Sequence, residues 1–347
     1  MSLMAKQIRQ AEPARSQSPD PQQSAPVGSQ ESPERLATRH RDCPERRSHQ
    51  RLMIHRHSNG RQSFVSAGGT VAESARSGHT GGMTSVPFLD ADRLLGETFL
   101  KDVRLFGELR STNDYAIAAA REQIATPLLV ATDRQTAGRG RGANRWMGGV
   151  GGLTFSVVVE PESHSIPRPQ WPILSLAVGA SVCAALDAIL KGRGDVRLKW
   201  PNDVYIDGRK VCGILVESPA GAPSKLVIGA GINVNNRRGE APPEIRDRMT
   251  SVADAAGNMA ADFDRTDVLI AVLQHLEDHF ACLAMDPELV IARCRAACYL
   301  TGRLLSVNDG QRIVSGSCQG IDDDGALRIA TEEGLQRCMA GTVELLD

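Results

Sequence analysis

Glycine and arginine alternate in the stretch TAGRGRGANRW, residues 136–146, before the chain becomes apolar again. Glycine lets the backbone adopt positive φ angles and approach a ligand closely. The guanidinium groups of Arg139 and Arg141 offer planar forks of donors that suit phosphate and carboxylate oxygens. The pattern therefore predicts a loop that closes over an anion. The alternative is a disordered Gly/Arg tract that binds RNA.

A second polar group follows in VRLKWPND, residues 196–203. In a strand, alternate side chains face opposite sides, so Leu198 and Trp200 share one face and Lys199 takes the other. Pro201 cannot donate to a strand ladder, so a break there would let Asn202 and Asp203 reach a ligand. Lys210 follows an Asp-Gly turn. Taken alone, each of these features is more often a solvated charge or an ordinary turn.

The composition of the chain limits the classes of protein to which it can belong. The chain has 347 residues, 41% hydrophobic and 23% charged, with a net charge of −1, which suits two or three domains and argues against a general nucleic-acid binder. Cys294 and Cys298 are expected to be buried thiols and not metal ligands, and reduced thiols suit the cytoplasm. No signal peptide and no apolar run near the ~18 residues of a membrane span are expected.

The organisation of the chain changes near residue 83. Residues 1–82 are rich in Ser, Gln, Arg, Pro and Gly, and are expected to be a disordered extension because too few apolar side chains oppose the ordering entropy. Met83 is a candidate start, and no helix-turn-helix pattern is visible before it. A catalytic domain is expected at 83–297 and a small β domain at 298–347.

Strands and helices must position the polar residues. Ser111 is predicted to cap a helix, and Asp207-Gly208 to join two strands of a hairpin that begins at Val196. The expected fold class is α+β, a mixed β-sheet with helices followed by a small β-barrel. Further strands are expected at 127–135, 152–160 and 225–235, and helices at 171–190 and 266–283.

The motifs STND, GRGRGANRW, KWPND, GRKVCGILVE and GAGINVN occur in this order, and together they resemble the biotin protein ligases, or biotin–[acetyl-CoA-carboxylase] ligases. The resemblance covers about residues 100–347, and GIDDDGAL and GTVELL are similar to that family's SH3-like C-terminal barrel. It implies a catalytic domain of the class II aminoacyl-tRNA-synthetase-like type. It also implies a monofunctional member without the N-terminal DNA-binding domain.

The resemblance implies a two-step reaction in the cytoplasm. Biotin and Mg²⁺·ATP would give biotinyl-5′-AMP and pyrophosphate, and a lysine of a biotin carboxyl carrier domain of a carboxylase would then take the biotin. Neither a nucleic acid nor a membrane is an expected partner, and the enzyme is expected to be a monomer or a homodimer.

The resemblance also assigns roles to individual residues. Lys210 would bridge the biotin carboxylate and the α-phosphate, and Asp203 would orient Lys210 or the incoming amine. Arg139 and Arg141 would belong to the adenylate loop, which orders over the bound ligand, with Arg141 among the catalytic residues. Contacts to the biotin ring are implied for Ser111, Thr112 and Gln135, packing on adenine for Trp146, and nucleotide contacts for Asn202 and Asn233. The remaining implied binding residues are Asn113, Gly138, Arg139, Gly140, Lys199, Gly213 and Gly231. Gly142-Ala143-Asn144 stands where many bacterial members have Arg-Gly-Arg, so a third anion-binding arginine is not assigned.

Three rivals are weaker. A lipoate- or octanoate-protein ligase shares the fold, but its hydrophobic substrate would need a tunnel and not polar ring contacts. An RNA-binding protein would show repeated RG dipeptides, interleaved aromatic residues and a basic balance. A biotin-responsive repressor would need a DNA-binding module.

Overall fold

A seven-stranded mixed sheet dominates the residues that the computed structural model describes, which are 88–257 and 262–346. Its spatial order is β1-β2-β3-β7-β6-β5-β4, with β1 and β2 parallel and every other pair antiparallel. The strands are β1 (Asp102–Leu109), β2 (Leu128–Gln135), β3 (Leu153–Val159), β4 (Val196–Lys199), β5 (Asp203–Ile206), β6 (Arg209–Glu217) and β7 (Leu226–Ile232). The predicted mixed sheet is confirmed. The expectations for residues 1–82 and for Met83 lie outside the described residues.

Seven α-helices lie among the described residues, and several of them pack against this sheet. They are α1 (Ala91–Glu97), α2 (Thr112–Ala120), α3 (Leu174–Leu190), α4 (Pro243–Arg246), α5 (Val252–Ala255), α6 (Arg265–Met285) and α7 (Pro287–Ala297). The predicted cap of α2 is confirmed, because Asp114 N donates to Ser111 Oγ at 3.2 Å. The helix predicted at 171–190 begins as a 3-10 turn, Arg168–Ile173, and becomes α-helical only at Leu174, after Pro172.

Two helical stretches, Arg168–Leu190 and Arg265–Met285, are long and apolar enough to cross a membrane by length and composition alone. The expectation that no apolar run approaches such a length was therefore wrong. Their apolar character has another physical reason, since α3 and α6 pack against each other and Leu174, Leu186 and Leu273 are fully buried. Helices that are apolar nearly all round are typical of a protein core.

The polar stretch 196–210 forms two successive hairpins. The Asp207-Gly208 turn is confirmed, with positive φ angles of 49° and 74°. The single interrupted strand expected before it is wrong, because β4 and β5 are separate strands that pair antiparallel, with Lys199 opposite Asp203. The chain reverses at Trp200-Pro201-Asn202, where the proline could not have donated to a ladder.

A second sheet forms the C-terminal part of the molecule. Its strands are β8 (Leu304–Asn308), β9 (Ile313–Ile321), β10 (Leu327–Thr331), β11 (Gly334–Cys338) and β12 (Thr342–Leu345), antiparallel in the order β11-β10-β9-β8-β12. The predicted small β domain is confirmed, and its strands pair antiparallel. Among the described residues β11 and β12 are the two edges of this sheet and do not pair with each other, so its strand pairs do not close a barrel.

The two sheets meet at Trp200, which is 2% exposed. Its indole Nε1 donates to the Gly325 carbonyl at 2.9 Å, and Gly325 precedes β10 of the C-terminal sheet. A side chain at Gly325 would crowd Ile173, with its Cβ 2.9 Å from the isoleucine Cγ2. Arg295 Nε, at the end of α7, donates to the carbonyl of Ile321. The C-terminal sheet is therefore joined to the hairpin that carries Lys199 and Asp203.

Candidate functional site

A cavity of about 1140 Å³ lies between the Gly/Arg loop, one face of the large sheet and the edge of the C-terminal sheet. The structure brings together at its wall every residue that the resemblance implicated, except Gly138. Gly138 lies just behind the wall, where a Cβ would contact the carbonyl oxygen of Trp146 and Nε2 of Gln135. Gly138 is thus required for close backbone approach.

Glycines of two neighbouring strands make the floor of the cavity flat. Gly213 on β6 pairs with Gly231 on β7, and their alternate neighbours Ile214 and Ala230 are buried. The ring of Trp146 lies on this floor, so a Cβ at Gly231 would overlap its indole. Its Nε1 is buried and has no hydrogen-bond partner among the described residues, which leaves a donor for an acceptor from a ligand.

The Gly/Arg loop is a tight hairpin and not a disordered tract. Arg139 pairs with Arg145, Gly140 N donates to Asn144 O at 2.8 Å, and Trp146 N donates to Gly138 O at 3.1 Å. The loop reverses at Gly142, where φ is +60°. The expectation of positive φ applies to this one glycine, while Gly138 and Gly140 serve close packing.

The two loop arginines differ in their surroundings. Arg139 donates to Asp114 at 2.8 Å and, through both terminal nitrogens, to Glu217 at 2.9 and 2.7 Å. The hydrogen bonds to Glu217 raise the pKa of Arg139 despite partial burial. Its charge is already matched by two carboxylates, whereas the Gly/Arg pattern had predicted that Arg139 would contact a bound anion.

Arg141 has no carboxylate as a direct partner among the described contacts. It donates through Nη1 to Asn202 Oδ1 at 3.3 Å and to the Gly341 carbonyl at 3.5 Å. Burial lowers the pKa of Arg141, and the nearby charge of Asp203 offsets only part of this effect. A half-buried, poorly compensated cation favours the binding of an anion beside it.

Lys210 and Asp203 form an ion pair at the start of β6 and β5. The ammonium nitrogen lies 2.6 Å from Asp203 Oδ1 and close to Gly213 and the Trp146 ring. Backbone hydrogen bonds from Lys210 N to Arg248 O and from Thr250 N to Lys210 O hold the strand end. The pair therefore presents one cation and one carboxylate over the glycine floor.

Lys199 lines the same wall, with Nζ 3.1 Å from the hydroxyl of Tyr205. Burial lowers the pKa of Lys199 and raises that of Tyr205 to about 12. Lys199 is thus a further basic side chain of the cavity, and Tyr205 is its neutral hydrogen-bonding partner at neutral pH.

A buried polar group closes the opposite end of the cavity, at the N-terminus of α2. Thr112 N donates to Gln135 Oε1 at 2.9 Å. Ser156 Oγ lies 2.8 Å from Thr112 Oγ1 and 2.6 Å from Asn113 Oδ1. Sequence reasoning missed Ser156, although a serine within the apolar strand LTFSVVV was a visible signal.

Asn202 and Asn233 line the cavity, but their amides serve the backbone. Asn202 Nδ2 donates to Ile214 O at 2.6 Å. Asn233 Nδ2 donates to Thr250 O at 3.0 Å, and its Oδ1 accepts from Asn236 at 2.9 Å. Both residues therefore hold the walls in place through these hydrogen bonds.

The described wall carries more basic than acidic side chains. Its acidic residues are Asp203, Glu240 and Asp309, and its basic residues are Arg139, Arg141, Arg145, Lys199, Lys210, Arg237 and Arg248. Sequence reasoning missed Arg237, Arg248 and the C-terminal residues, since their contribution depends on chain segments that approach from outside the motifs. A basic cavity with an aromatic residue on a flat floor suits a polyanion with a planar ring.

Comparisons with known proteins agree with this geometry. Residues 106–233 match the model of the Biotin/lipoate A/B protein ligase family, and residues 303–346 match that of the Biotin protein ligase C terminal domain. The bifunctional ligase/repressor BirA of Bacillus subtilis is 32% identical over 244 residues, covering 68% of this chain and 72% of that protein. The biotin–[acetyl-CoA-carboxylase] ligase of Mycobacterium tuberculosis is 31% identical over 241 residues, covering 68% and 86%.

Solved structures show the same similarity. The biotin protein ligase from Aquifex aeolicus in complex with biotin and ATP superimposes with a TM-score of 0.61 at 31% identity. The match covers 71% of this chain and 99% of that one.

Proposed function

The chain belongs to the biotin protein ligase family, and from this membership we propose that it joins biotin to a carrier protein in two steps. The carboxylate of biotin attacks the α-phosphate of ATP, giving biotinyl-5′-AMP and pyrophosphate. The amine of a carrier lysine then attacks the acyl carbon and releases AMP. The observation that carries the proposal is the Lys210–Asp203 pair beside Arg141 on a glycine floor.

The basic groups answer the electrostatic demand of the first step. Negative charge accumulates where the carboxylate meets the α-phosphate, and preorganised donors stabilise such charge. Lys210 and Arg141 can both contact that junction, because both line the cavity, Lys210 from strand β6 and Arg141 from the Gly/Arg loop. The volume of about 1140 Å³ exceeds the usual size of a pocket for one small ligand, which supports two substrates side by side.

The carrier lysine must lose a proton before its amine attacks the acyl carbon, so the second step needs a carboxylate nearby that can accept this proton and a hydrogen bond from the amine. Once Lys210 interacts with the acyl-phosphate, Asp203 loses its partner at 2.6 Å and is free to orient the incoming amine. We assign Asp203 this role.

Magnesium would enter with the phosphates of ATP. The described residues contain no cluster of three or more His, Cys, Asp or Glu side chains that could hold a metal, and in this structure Asp203 pairs with Lys210. Mg²⁺ typically uses one or two carboxylates together with substrate phosphates, and the sparse acidic wall fits that arrangement. When bound, it would neutralise phosphate charge.

Lipoate or octanoate is the less favoured acid. The end of the cavity near α2 is lined by Thr112, Asn113 and Gln135. Such a polar end suits a ring with hydrogen-bonding groups, and an apolar chain would leave buried polar groups without partners.

We also propose the division of the chain into domains. The catalytic domain would be 83–297 and the C-terminal domain, 298–347, would be an SH3-like barrel, with residues 1–82 dispensable. The carrier would be the biotin carboxyl carrier domain of a carboxylase such as acetyl-CoA carboxylase. We further propose a monomer or homodimer that binds no nucleic acid. A cytoplasmic location is supported by free, buried thiols such as Cys183 and Cys294, whose pKa burial raises.

The test is an assay with the purified full chain, Mg²⁺·ATP and one of biotin, lipoate or octanoate. We expect pyrophosphate release with biotin and labelling of an added carrier domain. Residues 83–347 should perform both steps equally well. Faster pyrophosphate release with lipoate or octanoate than with biotin would contradict the assignment.

A further inference from the structure

A chain of hydrogen bonds runs behind the polar end of the cavity, from Thr112 through Ser156 and Asn113 to Glu217. Ser156 is fully buried, and Asn113 is 5% exposed. Asn113 Nδ2 donates to Glu217 Oε2 at 2.7 Å and to the Leu215 carbonyl at 3.3 Å. Glu217 and Ser156 belong to none of the motif positions to which the resemblance assigns a role.

The two acceptors fix the orientation of the Asn113 amide. Glu217 Oε2 and the Leu215 carbonyl can only accept, so the NH₂ group of Asn113 must face them. Its Oδ1 therefore faces Ser156, 2.6 Å away. Gly229 makes this placement possible, since a Cβ there would overlap the Asn113 amide.

The orientation of the Asn113 amide determines the direction of the hydroxyl hydrogen bonds of Ser156 and Thr112. Oδ1 of Asn113 only accepts, so the single proton of Ser156 is directed to it. Ser156 Oγ is then an acceptor for the hydroxyl of Thr112, 2.8 Å away, whose other acceptor is Gln135 Oε1 at 3.3 Å. In either case the Thr112 proton points into the wall, and its lone pairs face the cavity.

Gln135 presents a hydrogen-bond donor to the cavity, where Thr112 presents an acceptor. Its Oε1 already accepts from Thr112 N at 2.9 Å, so its Nε2 is the group left to donate to a ligand. This end of the cavity then offers one acceptor, on Thr112, beside one donor, on Gln135.

We propose that Ser156 and Glu217 are positioning residues that set this polarity, and so select a ligand that presents an N–H donor beside a carbonyl acceptor. The cyclic urea of biotin has that pair, whereas the dithiolane of lipoate has neither group. The inference rests on the proposed function and adds to it a structural reason why biotin is preferred over lipoate.

Glu217 also holds Arg139, and this second role must be separated from the first. Arg139 bonds to Asp114 as well, at 2.8 Å, while Asp114 makes no contact with Asn113 among the described hydrogen bonds. Asp114→Asn therefore weakens the anchoring of Arg139 and leaves the orientation of Asn113 intact. It is the matched control.

The first experiment measures KM and kcat for biotin-dependent pyrophosphate release with the full chain. Ser156→Ala and Glu217→Met should each raise the KM for biotin about tenfold, as expected for one mispaired hydrogen bond, with little change in kcat or in the KM for ATP. Glu217→Gln keeps an oxygen that can accept from Asn113 and should restore most of the affinity. Asp114→Asn should leave the KM for biotin near that of the unsubstituted protein.

The second experiment tests the polarity itself, with cyclic carbamates in which one ureido N–H of biotin is replaced by oxygen, prepared as both isomers. One isomer should bind the unsubstituted protein about tenfold more weakly than biotin, because two acceptors would face each other at Thr112. In Ser156→Ala the Thr112 hydroxyl can turn and donate outward, so the discrimination should shrink. A purely structural defect would weaken both ligands equally.

Two results would overturn the proposal: equal effects of Asp114→Asn and Glu217→Met, or unchanged carbamate discrimination in Ser156→Ala with an unchanged thermal midpoint. Failure of the proposed function is distinguishable, since the unsubstituted protein would then release no pyrophosphate with biotin at all.

Discussion

The ammonium of Lys210 lies 2.6 Å from the carboxylate of Asp203, across the hairpin that joins β5 to β6. Neither residue is fully exposed, since their side chains are 34% and 21% accessible. The pair lies over the glycine floor, where an anionic ligand would compete with Asp203 for the ammonium. This competition makes Lys210 the first target for mutation.

Lys210→Ala should fold normally and lose most of the rate of biotinyl-5′-AMP formation. Removal of one preorganised charge stabiliser costs about 2.7–4 kcal/mol of transition-state stabilisation, or about a hundredfold to a thousandfold in rate. Pyrophosphate release measures the effect, and Arg209→Ala, one residue earlier on β6 and outside the cavity wall, is the control. Near-normal release by Lys210→Ala would remove Lys210 from the mechanism.

Arg141→Gly should release the intermediate prematurely. Arg141 is the loop cation whose pKa burial lowers, so it has the most to gain from an anion. Loss of its charge-assisted hydrogen bonds, worth on the order of 1.5–3 kcal/mol, should speed the escape of biotinyl-5′-AMP about tenfold to a hundredfold.

The measurement is nonspecific labelling of a non-carrier protein with biotin. Arg168→Gly serves as the control, because Arg168 pairs with Glu162 at 3.0 Å and lies outside the cavity wall. Labelling confined to the carrier domain, with normal retention of the intermediate, would show that Arg141 does not help to close the site.

Trp200→Phe should weaken the junction between the two sheets. The substitution keeps an aromatic ring and removes the donor to the Gly325 carbonyl, leaving a buried acceptor unpaired at a cost of about 1–3 kcal/mol. Thermal unfolding should show a lowered midpoint. Trp171→Phe removes a longer hydrogen bond of 3.4 Å at a less buried site and should have a smaller effect. Equal midpoints for the two variants would contradict this account.

Stability should fall as the pH decreases from 6.5 toward 4, with His279 as one cause. Burial lowers the pKa of His279 from 6.5 to about 4 in the folded protein. The unfolded chain therefore binds a proton at pH 5 that the folded protein does not, and this proton favours unfolding. The stability contribution is present above pH 6.5, and about 2 kcal/mol of it is lost between pH 7 and pH 5.

His279→Asn removes this titration while keeping a donor for the His275 carbonyl, which lies 2.8 Å from His279 Nδ1. Urea unfolding at pH 7 and pH 5 should show a smaller loss of stability for this variant than for the unsubstituted protein. His275→Asn, at a half-buried histidine whose pKa burial also lowers, should reduce the loss less. An unchanged loss in His279→Asn would place the pH dependence elsewhere.

Local structure followed from the sequence. The cap at Ser111 and the turn at Asp207-Gly208 depend on a few neighbouring residues, and both are present as expected. The motif residues form one cavity wall, because the strands and loops that carry them are adjacent in the sheet. The reversal at Pro201 was predicted only as a break, since a proline shows where pairing stops and not which strand pairs next.

The sequence by itself determined the local turns and most of the motif residues that line the cavity, while the tertiary structure alone added the remaining wall residues and decided the partners of each. Arg139 and Arg141 stand two residues apart in an alternating motif, and nothing local distinguishes them. Only the folded chain brings Glu217 to the first and buries the second against Gly341. The physical reason is that charge compensation and hydrogen-bond direction depend on partners distant in sequence, which packing alone brings within reach.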